Sequence, residues 1–412
     1  MELNQVCELI IDCEHKTAPT QDTGYPSIRT PNIGSGRFIL EGVNRVSEET
    51  YQLWTRRAVP QFGDLIMARE APVGNVAMVP SGLQPCLGQR TLLIRPDRSK
   101  VDPAFLNYFL NGPHVQGLIH AKTNGATVAH LNMKDVRTME LPELPSLQEQ
   151  KRIAGILSAY DELIENSQRR IRILEEMARA LYREWFVHFR YPGHENHPLV
   201  PSSLGDIPQG WKTTIFGELY NTGSGGTPSR ARPEYFENGT IDWVKSQELL
   251  DGFVLSTEER ITERALVESS AKLFPANVVL IALYGATIGK LAILSRAAAT
   301  NQACCAILPK RSSFDREFAF LMLLSNREKI ISLRLGAAQQ NISQVLLRNF
   351  ECLKPPNELV KLFSEQTASF FDGILTLQRQ IQNLHQTRDM LLPRLLSGQV
   401  EMTSLNNMEI TV

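Results

Sequence analysis

The chain has 412 residues, with 43 basic against 44 acidic side chains, and 42% of its residues are hydrophobic. That length predicts two to three domains, each able to bury its own core. The composition excludes a disordered or fibrous chain, and the charge balance excludes one drawn to nucleic acid or an anionic membrane by its own net charge. No secretory leader and no apolar run long enough to span a bilayer is found. The six cysteines (Cys7, Cys13, Cys86, Cys304, Cys305, Cys352) show no CxxC pair and no ligand spacing. Reduced, mostly buried thiols in a cytoplasm are expected.

In chain order, a globular segment comes first. Leu65-Ile66-Met67, Val76-Ala77-Met78-Val79 and Thr91-Leu92-Leu93-Ile94 are apolar runs bounded by Gly, Pro and Asp, and are predicted as strands. Residues 102–120 have helical spacing through Phe105, Tyr108, Phe109 and Leu118, with Asp102-Pro103 as the helix start. The first domain is set at 1–146, with 14 basic and 15 acidic residues.

A long helix follows, over 147–190. It lacks proline up to Phe189 and has one glycine, Gly155. Tyr160, Ile164, Ser167, Ile171, Leu174, Ala178, Leu181 and Trp185 step alternately by four and three, the seam of a coiled coil. Glu162, Arg169, Arg170, Glu175 and Glu176 flank it. Residues 191–210 are dense in Pro and Gly and read as a linker.

The scheme then repeats. The second domain is set at 211–356; residues 201–356 carry 17 basic and 15 acidic side chains. Val278-Val279-Leu280-Ile281, residues 290–294 and Cys304-Cys305-Ala306-Ile307-Leu308 are strand-like, and 315–333 is helical. A second long helix is predicted over 357–400, before a tail at 401–412. Its seam is Ile374, Leu377, Ile381, Leu384, Arg388, Leu391 and Leu395, with Arg388 the imperfect step. A helix of about forty residues is about 60 Å long and cannot bury such a seam alone. Antiparallel packing of the two helices is expected; the competing arrangement pairs each with a different partner chain.

Laid over each other at a spacing of 211–216 residues, the halves come into register. Ile28-Arg29 meets Val244-Lys245, and Gln89 meets Gln302. Pro72-Val73-Gly74-Asn75 meets Thr287-Ile288-Gly289-Lys290, and Tyr160-Asp161-Glu162 meets Phe371-Asp372-Gly373. A period this long is a domain duplication.

Three motifs suggest chemistry and are better explained without it. Tyr284-Gly285-Ala286-Thr287-Ile288-Gly289-Lys290-Leu291 is one residue short of a phosphate loop and lacks the hydroxyl after Lys290, so a turn between strands is expected. Thr222-Gly223-Ser224-Gly225-Gly226-Thr227-Pro228-Ser229 opens no helix and reads as a flexible loop. His188, His194 and His197 have no Cys partner and are separated by Pro and Gly, so no metal site is expected.

Four segments, in order, resemble the specificity subunit of type I restriction-modification systems. They are Glu143-Leu144-Pro145-Ser146-Leu147-Gln148-Glu149-Gln150-Lys151-Arg152-Ile153, Leu181-Tyr182-Arg183-Glu184-Trp185-Phe186-Val187-His188-Phe189, Gly205-Asp206-Ile207-Pro208-Gln209-Gly210-Trp211 and Met390-Leu391-Leu392-Pro393-Arg394-Leu395-Leu396-Ser397-Gly398. The resemblance implies an α+β chain: two duplicated mixed α/β target recognition domains in pseudo-twofold arrangement, separated by two long antiparallel coiled-coil helices. Each domain would read one half of an asymmetric bipartite site on double-stranded DNA. The half-sites would lie ~34 Å apart, about one duplex turn. The helices would set the gap and dock two methyltransferase subunits, which restriction subunits would join. The chain itself would be non-catalytic and would bind no cofactor, while partner subunits use S-adenosylmethionine, ATP and magnesium. No Asn-Pro-Pro-Tyr or Asp-Pro-Pro-Tyr sequence for base methylation is present, in keeping with that expectation.

Base edges and phosphates are met by Arg, Lys, Asn, Gln, Ser and Thr on loops or helix ends. The candidates in the first domain are His15, Lys16, Thr17, Arg29, Thr30, Gln89, Arg90, Lys122, Thr123, Asn124, Thr127 and His130. In the second they are Thr227, Ser229, Arg230, Arg232, Lys245, Ser246, Gln247, Thr300, Asn301, Gln302, Gln339, Gln340 and Asn341. The plainer reading of such residues is that they cap helices, close turns or cover apolar surface. Trp185 is expected in the helix-pair core, with Phe189 left open between core and docking surface. Three alternatives stand beside this reading: a related restriction system whose partner fuses methyltransferase and nuclease, a self-contained DNA-modifying enzyme, and a coiled-coil scaffold.

Overall fold

A computed structural model describes residues 1–123, 130–310, 315–333 and 341–397. They fall into two compact units, Met1–Ile164 with Asn383–Val412, and Glu165–Gln382. Among the described residues, no helix is long and apolar enough to cross a membrane.

The first unit is built from β1 (Cys7–Asp12), β2 (Tyr25–Ile28), β3 (Arg45–Val46), α1 (Glu48–Trp54), β4 (Leu65–Ala68), β5 (Val76–Met78), β6 (Cys86–Leu87) and β7 (Thr91–Pro96). Then follow α2 (Pro103–Asn111), α3 (Pro113–Thr123), α4 (Met133–Arg137) and the start of α5 (Leu147–Phe186). An antiparallel sheet runs β1-β7-β4-β5, and a smaller one runs β3-β2-β6. All four residues of β4 are buried because the larger sheet is covered on both faces. Leu65 and Met67 face a core with α2, α3 and α5, while Ile66 and Ala68 alternate to a second core with Ile28 and Leu87 of the smaller sheet.

The single helix expected over 102–120 is two. Pro113 has no N–H to give and drives Gly112 into extended backbone, with ψ at 156°, so α2 stops and α3 restarts with Pro113 in its first turn. Ser146 opens α5 with reciprocal bonds: the Glu149 N–H donates to its hydroxyl, and its own N–H donates to the Glu149 carboxylate.

The second unit repeats this plan after the hairpin of β8 (Leu199–Val200) and β9 (Ile207–Pro208). Its chain runs β10 (Lys212–Ile215), α6 (Phe216–Leu219), β11 (Tyr220–Ser224), β12 (Ile241–Val244), β13 (Gly252–Val254), β14 (Arg260–Ile261) and α7 (Glu263–Glu268). It continues through β15 (Leu273–Phe274), β16 (Val279–Ala282), β17 (Leu291–Leu294), β18 (Ala298–Thr300) and β19 (Cys304–Pro309). Helices α8 (Arg316–Ser325), α9 (Arg327–Ser332) and α10 (Gln344–Arg348), strand β20 (Glu351–Lys354) and helix α11 (Asn357–Leu396) complete it, the last crossing into the first unit. The larger sheet runs β11-β19-β16-β17-β13 and the second β14-β12-β18-β15, while β10 pairs with β20. Val279 and Ile281 again face one core, and Leu280 and Ala282 the other. Here too one expected helix is two: Asn326 ends α8 by turning its amide to the Met322 carbonyl at 2.9 Å.

In each unit the two long helices run antiparallel. In the second, Tyr182 meets the Phe363 ring edge-on at 6.0 Å and Trp185 lies tilted to it at 5.7 Å, while Leu174 sits against Gly373. In the first, Asp161 accepts from Arg388, and Leu395 shares a core with Ile153, Ala154 and Leu157. Ile164, Trp185, Ile374, Leu377 and Leu395 are buried, and Tyr160, Ile171, Leu174, Leu181, Ile381, Leu384 and Leu391 half-buried. Trp185 lies in the core, and Phe189 sets its ring edge-on to Trp211. The breaker-rich stretch 191–210 is more than a spacer, since Tyr191 is buried and stacks on Trp211.

A candidate nucleic-acid interface

Polar loops come together because each smaller sheet contains a parallel strand pair. In the first unit β2 and β6 run parallel, with Ile28 opposite Leu87, so the loops leaving them emerge side by side. The Gly88 N–H donates to the Ile28 carbonyl at 2.7 Å. Any Cβ at Gly88 would lie 2.6 Å from that oxygen and from Arg29 Cγ, so glycine is needed for the approach. In the second unit β12 and β18 do the same, with Val244 opposite Thr300 and the Asn301 N–H donating to Val244 at 2.9 Å. Arg29 follows β2 and Gln89 follows β6, as Lys245 follows β12 and Gln302 follows β18, positions that the duplication had aligned.

In the first unit a chain of polar contacts gathers His15, Gln89, Arg90 and His130. His15 lies 3.2 Å from Asp12, and Gln89 donates to the His15 carbonyl at 3.4 Å. Arg90 pairs with Glu70 at 2.8 Å, and His130 lies 3.2 Å from the same carboxylate. Lys16, Thr17 and Arg29 are exposed nearby in sequence, and Lys122 lies 3.7 Å from Asp135. Asn124 and Thr127 fall outside the described residues.

In the second unit Thr227 donates to Gln302 at 2.6 Å. Arg230 grips Glu259 with both terminal nitrogens, at 2.6 and 3.0 Å, and lies over the Phe236 ring at 4.3 Å. Lys245 reaches Glu258 and Glu259 at 2.5 and 2.9 Å, and Arg232 pairs with Glu268 at 3.0 Å. The bond from Arg230 holds the Glu259 carboxyl far down, at about 2, and Glu258 with Glu259 holds the Lys245 ammonium above its usual value. Ser229, Gln247, Gln302 and Asn341 are exposed, and Ser246 and Asn301 half-buried; Gln339 and Gln340 fall outside the described residues.

Three candidates point inward. Thr30 is buried, Thr123 bonds back to the Ile119 carbonyl, and Thr300 is fully buried with its hydroxyl accepting from the Gly225 N–H. They serve the frame rather than the surface. The glycine-rich stretch 222–229 is also no loose loop. A Cβ at Gly225 would lie 2.0 Å from the Thr300 carbonyl oxygen, and one at Gly226 2.0 Å from the Ser270 hydroxyl. Its glycines permit close packing. Tyr284 to Lys290 forms the turn between β16 and β17, as expected.

Sequence reasoning missed the acidic half of the interface: Asp12, Glu70, Glu258, Glu259 and Glu268. It also missed Arg69, which is buried at the end of an apolar strand. The only signal was the pair Arg69-Glu70 closing a hydrophobic run. Asp12, Cys13 and His15 could converge on one cation. However, Asp12 already accepts from Arg69, and burial pushes the Cys13 thiol up, away from the thiolate a soft metal requires.

Two copies of one strand-pair frame, each offering clustered polar loops, define a double-headed recognition protein. A family described as the type I restriction modification DNA specificity domain matches residues 1–176 and 208–383, and the chain belongs to that family. It is 25% identical over 372 residues to the type I restriction enzyme MjaIX specificity subunit of Methanocaldococcus jannaschii, covering 89% of this chain and 84% of that one. It is 21% identical to the HindI specificity subunit of Haemophilus influenzae, covering 91% and 95%. The fold matches the crystal structure of a type I restriction-modification S subunit from M. genitalium with a TM-score of 0.65, at 16% identity, over 96% of this chain and 95% of that one.

Proposed function

We propose that this chain is the DNA-specificity subunit of a type I restriction-modification complex and that each recognition domain reads one half of a bipartite site. The observation that carries this reading is the repeated parallel strand pair, which brings two polar loops together once in each unit. The loops differ in side chains: Arg29, Gln89 and Arg90 in one, Lys245, Gln302 and Ala303 in the other. The two half-sites therefore differ. The chain does no chemistry of its own. Two methyltransferase subunits dock on the helices, restriction subunits join them, and those partners use S-adenosylmethionine, ATP and magnesium in the cytoplasm. With near-zero net charge, the partners supply much of the attraction for phosphate.

The test is co-expression of this chain with the methyltransferase encoded beside it, followed by long-read mapping of modified adenines in the host genome. A split motif of fixed gap, methylated on both strands and lost when the chain is deleted, is the expected result. No new methylation from an assembled complex would sink the reading.

A further inference from the structure

We propose that Arg69 is a positioning residue for the first half-site: it contacts no base but fixes the loops that do. The inference rests on the DNA-specificity reading. Arg69 is 6% exposed, so its guanidinium does not reach a ligand. Its Nε donates to the Leu131 carbonyl at 2.8 Å, Nη1 to Asp12 at 2.5 Å, and Nη2 lies 2.9 Å from His130 Nε2. Its main chain adds two bonds, from its N–H to the Arg90 carbonyl at 2.8 Å and from the Leu131 N–H to its own carbonyl at 2.9 Å. One residue therefore ties together the ends of β1 and β4, the loop after β6 and the segment at 130–131. The side chains it holds face outward: His15 is 68% exposed, Arg90 63% and His130 38%.

The arrangement also orients the His130 ring. A guanidinium only donates, so Nε2 is the acceptor facing Arg69, and Nδ1 lies 3.2 Å from Glu70. Glu70 is shared between His130 and Arg90. Arg90 itself sits in the left-handed region at φ 65°, its carbonyl bound by the Arg69 N–H.

The second unit supplies an internal control. Leu283 makes the same two main-chain bonds, its N–H to the Ala303 carbonyl at 2.8 Å and its carbonyl from the Ile342 N–H at 2.7 Å. The register places Ser224 where Asp12 stands, since β11 pairs with β19 as β1 pairs with β7. The same backbone thus closes around leucine and serine without the guanidinium. What Arg69 adds in the first unit is not the frame but the orientation of His15, Arg90 and His130.

The test uses the full chain co-expressed with its methyltransferase, and duplexes randomised in both half-sites as probe. The wild type must first select a split motif; if it selects none, the specificity reading itself fails. The variant Arg69→Leu with Asp12→Ser installs the pair of the second unit and leaves no lone buried charge. We expect it to melt with the wild type, to read the second half-site unchanged, and to lose about tenfold or more in discrimination at bases of the first, the scale of one good base contact. Arg69→Lys keeps a charge but not the three-way fork, and is expected to relax the same bases. His130→Gln, which can accept from Arg69 and donate to Glu70, is expected to hold Arg90 and His15 in place and keep the other bases of the first half-site. A purely structural role would lower stability and affinity without changing base preference. Arg69→Lys reading both halves as the wild type does overturns the proposal, whether or not the double variant folds.

Discussion

Glu259 shows how single residues trade charge at this surface. It accepts from Arg230 and Lys245, and its carboxyl titrates near 2 instead of the ordinary 4.5. A carboxyl depressed by folding adds stability that is present above the unfolded value and vanishes as pH falls through the folded one. Glu259→Gln should therefore lower the melting temperature at neutral pH, and the gap from wild type should close between about pH 4.5 and 2. A gap that persists to the acid end would assign the loss to something other than the ion pairs. Gly225 acts by volume. An added Cβ would meet the Thr300 carbonyl oxygen at 2.0 Å, so Gly225→Ala should cost about 1–3 kcal/mol in a denaturant titration. A neutral result would mean that β18 yields more readily than its full burial suggests.

Elements carry the next level of order, and here the long helices were the most legible part. A four-and-three step over eight positions survives any local accident. Leu157 is fully buried and Leu163 half exposed, six residues apart on the same helix. Leu157→Ala should cost about 2–5 kcal/mol and Leu163→Ala within about 0.5 kcal/mol by chemical denaturation; equal losses would refute the facing. Arg388, the one misfit in the seam, is answered by Asp161, which also accepts from the Tyr108 hydroxyl at 2.6 Å. In the other copy Asp372 accepts from Arg316 at 2.5 Å. Each recognition domain is thereby latched to the helix that follows it. Other elements were hidden for plain reasons. Strands such as β3 and β6 have two residues, too few to show any period. The break at Gly112-Pro113 was outweighed by the apolar spacing around it. At the interface, the duplication revealed the paired loops, but Arg69 reads as the polar end of a strand, and nothing local says that Thr30 or Thr300 turns inward.

At the scale of the molecule, both long helices pass from one compact unit to the other, α5 between Ile164 and Glu165 and α11 between Gln382 and Asn383. If the helices measure the gap in the DNA site, four residues inserted after Asn166 should change the spacing of the methylated motif and leave both half-site sequences intact. Genome-wide methylation mapping checks this, and a changed half-site would refute the ruler.

The make-up of the first unit has a consequence in time. Its core is completed by Leu395, with Leu391, Leu392 and Leu396 packed against it, nearly four hundred residues after Leu3. The second unit is one continuous stretch. During synthesis the domain encoded second can finish folding while the domain encoded first still lacks its last helical turns. The order of translation and the order of completion are thus reversed, and the first half-site is the last thing the chain becomes able to read.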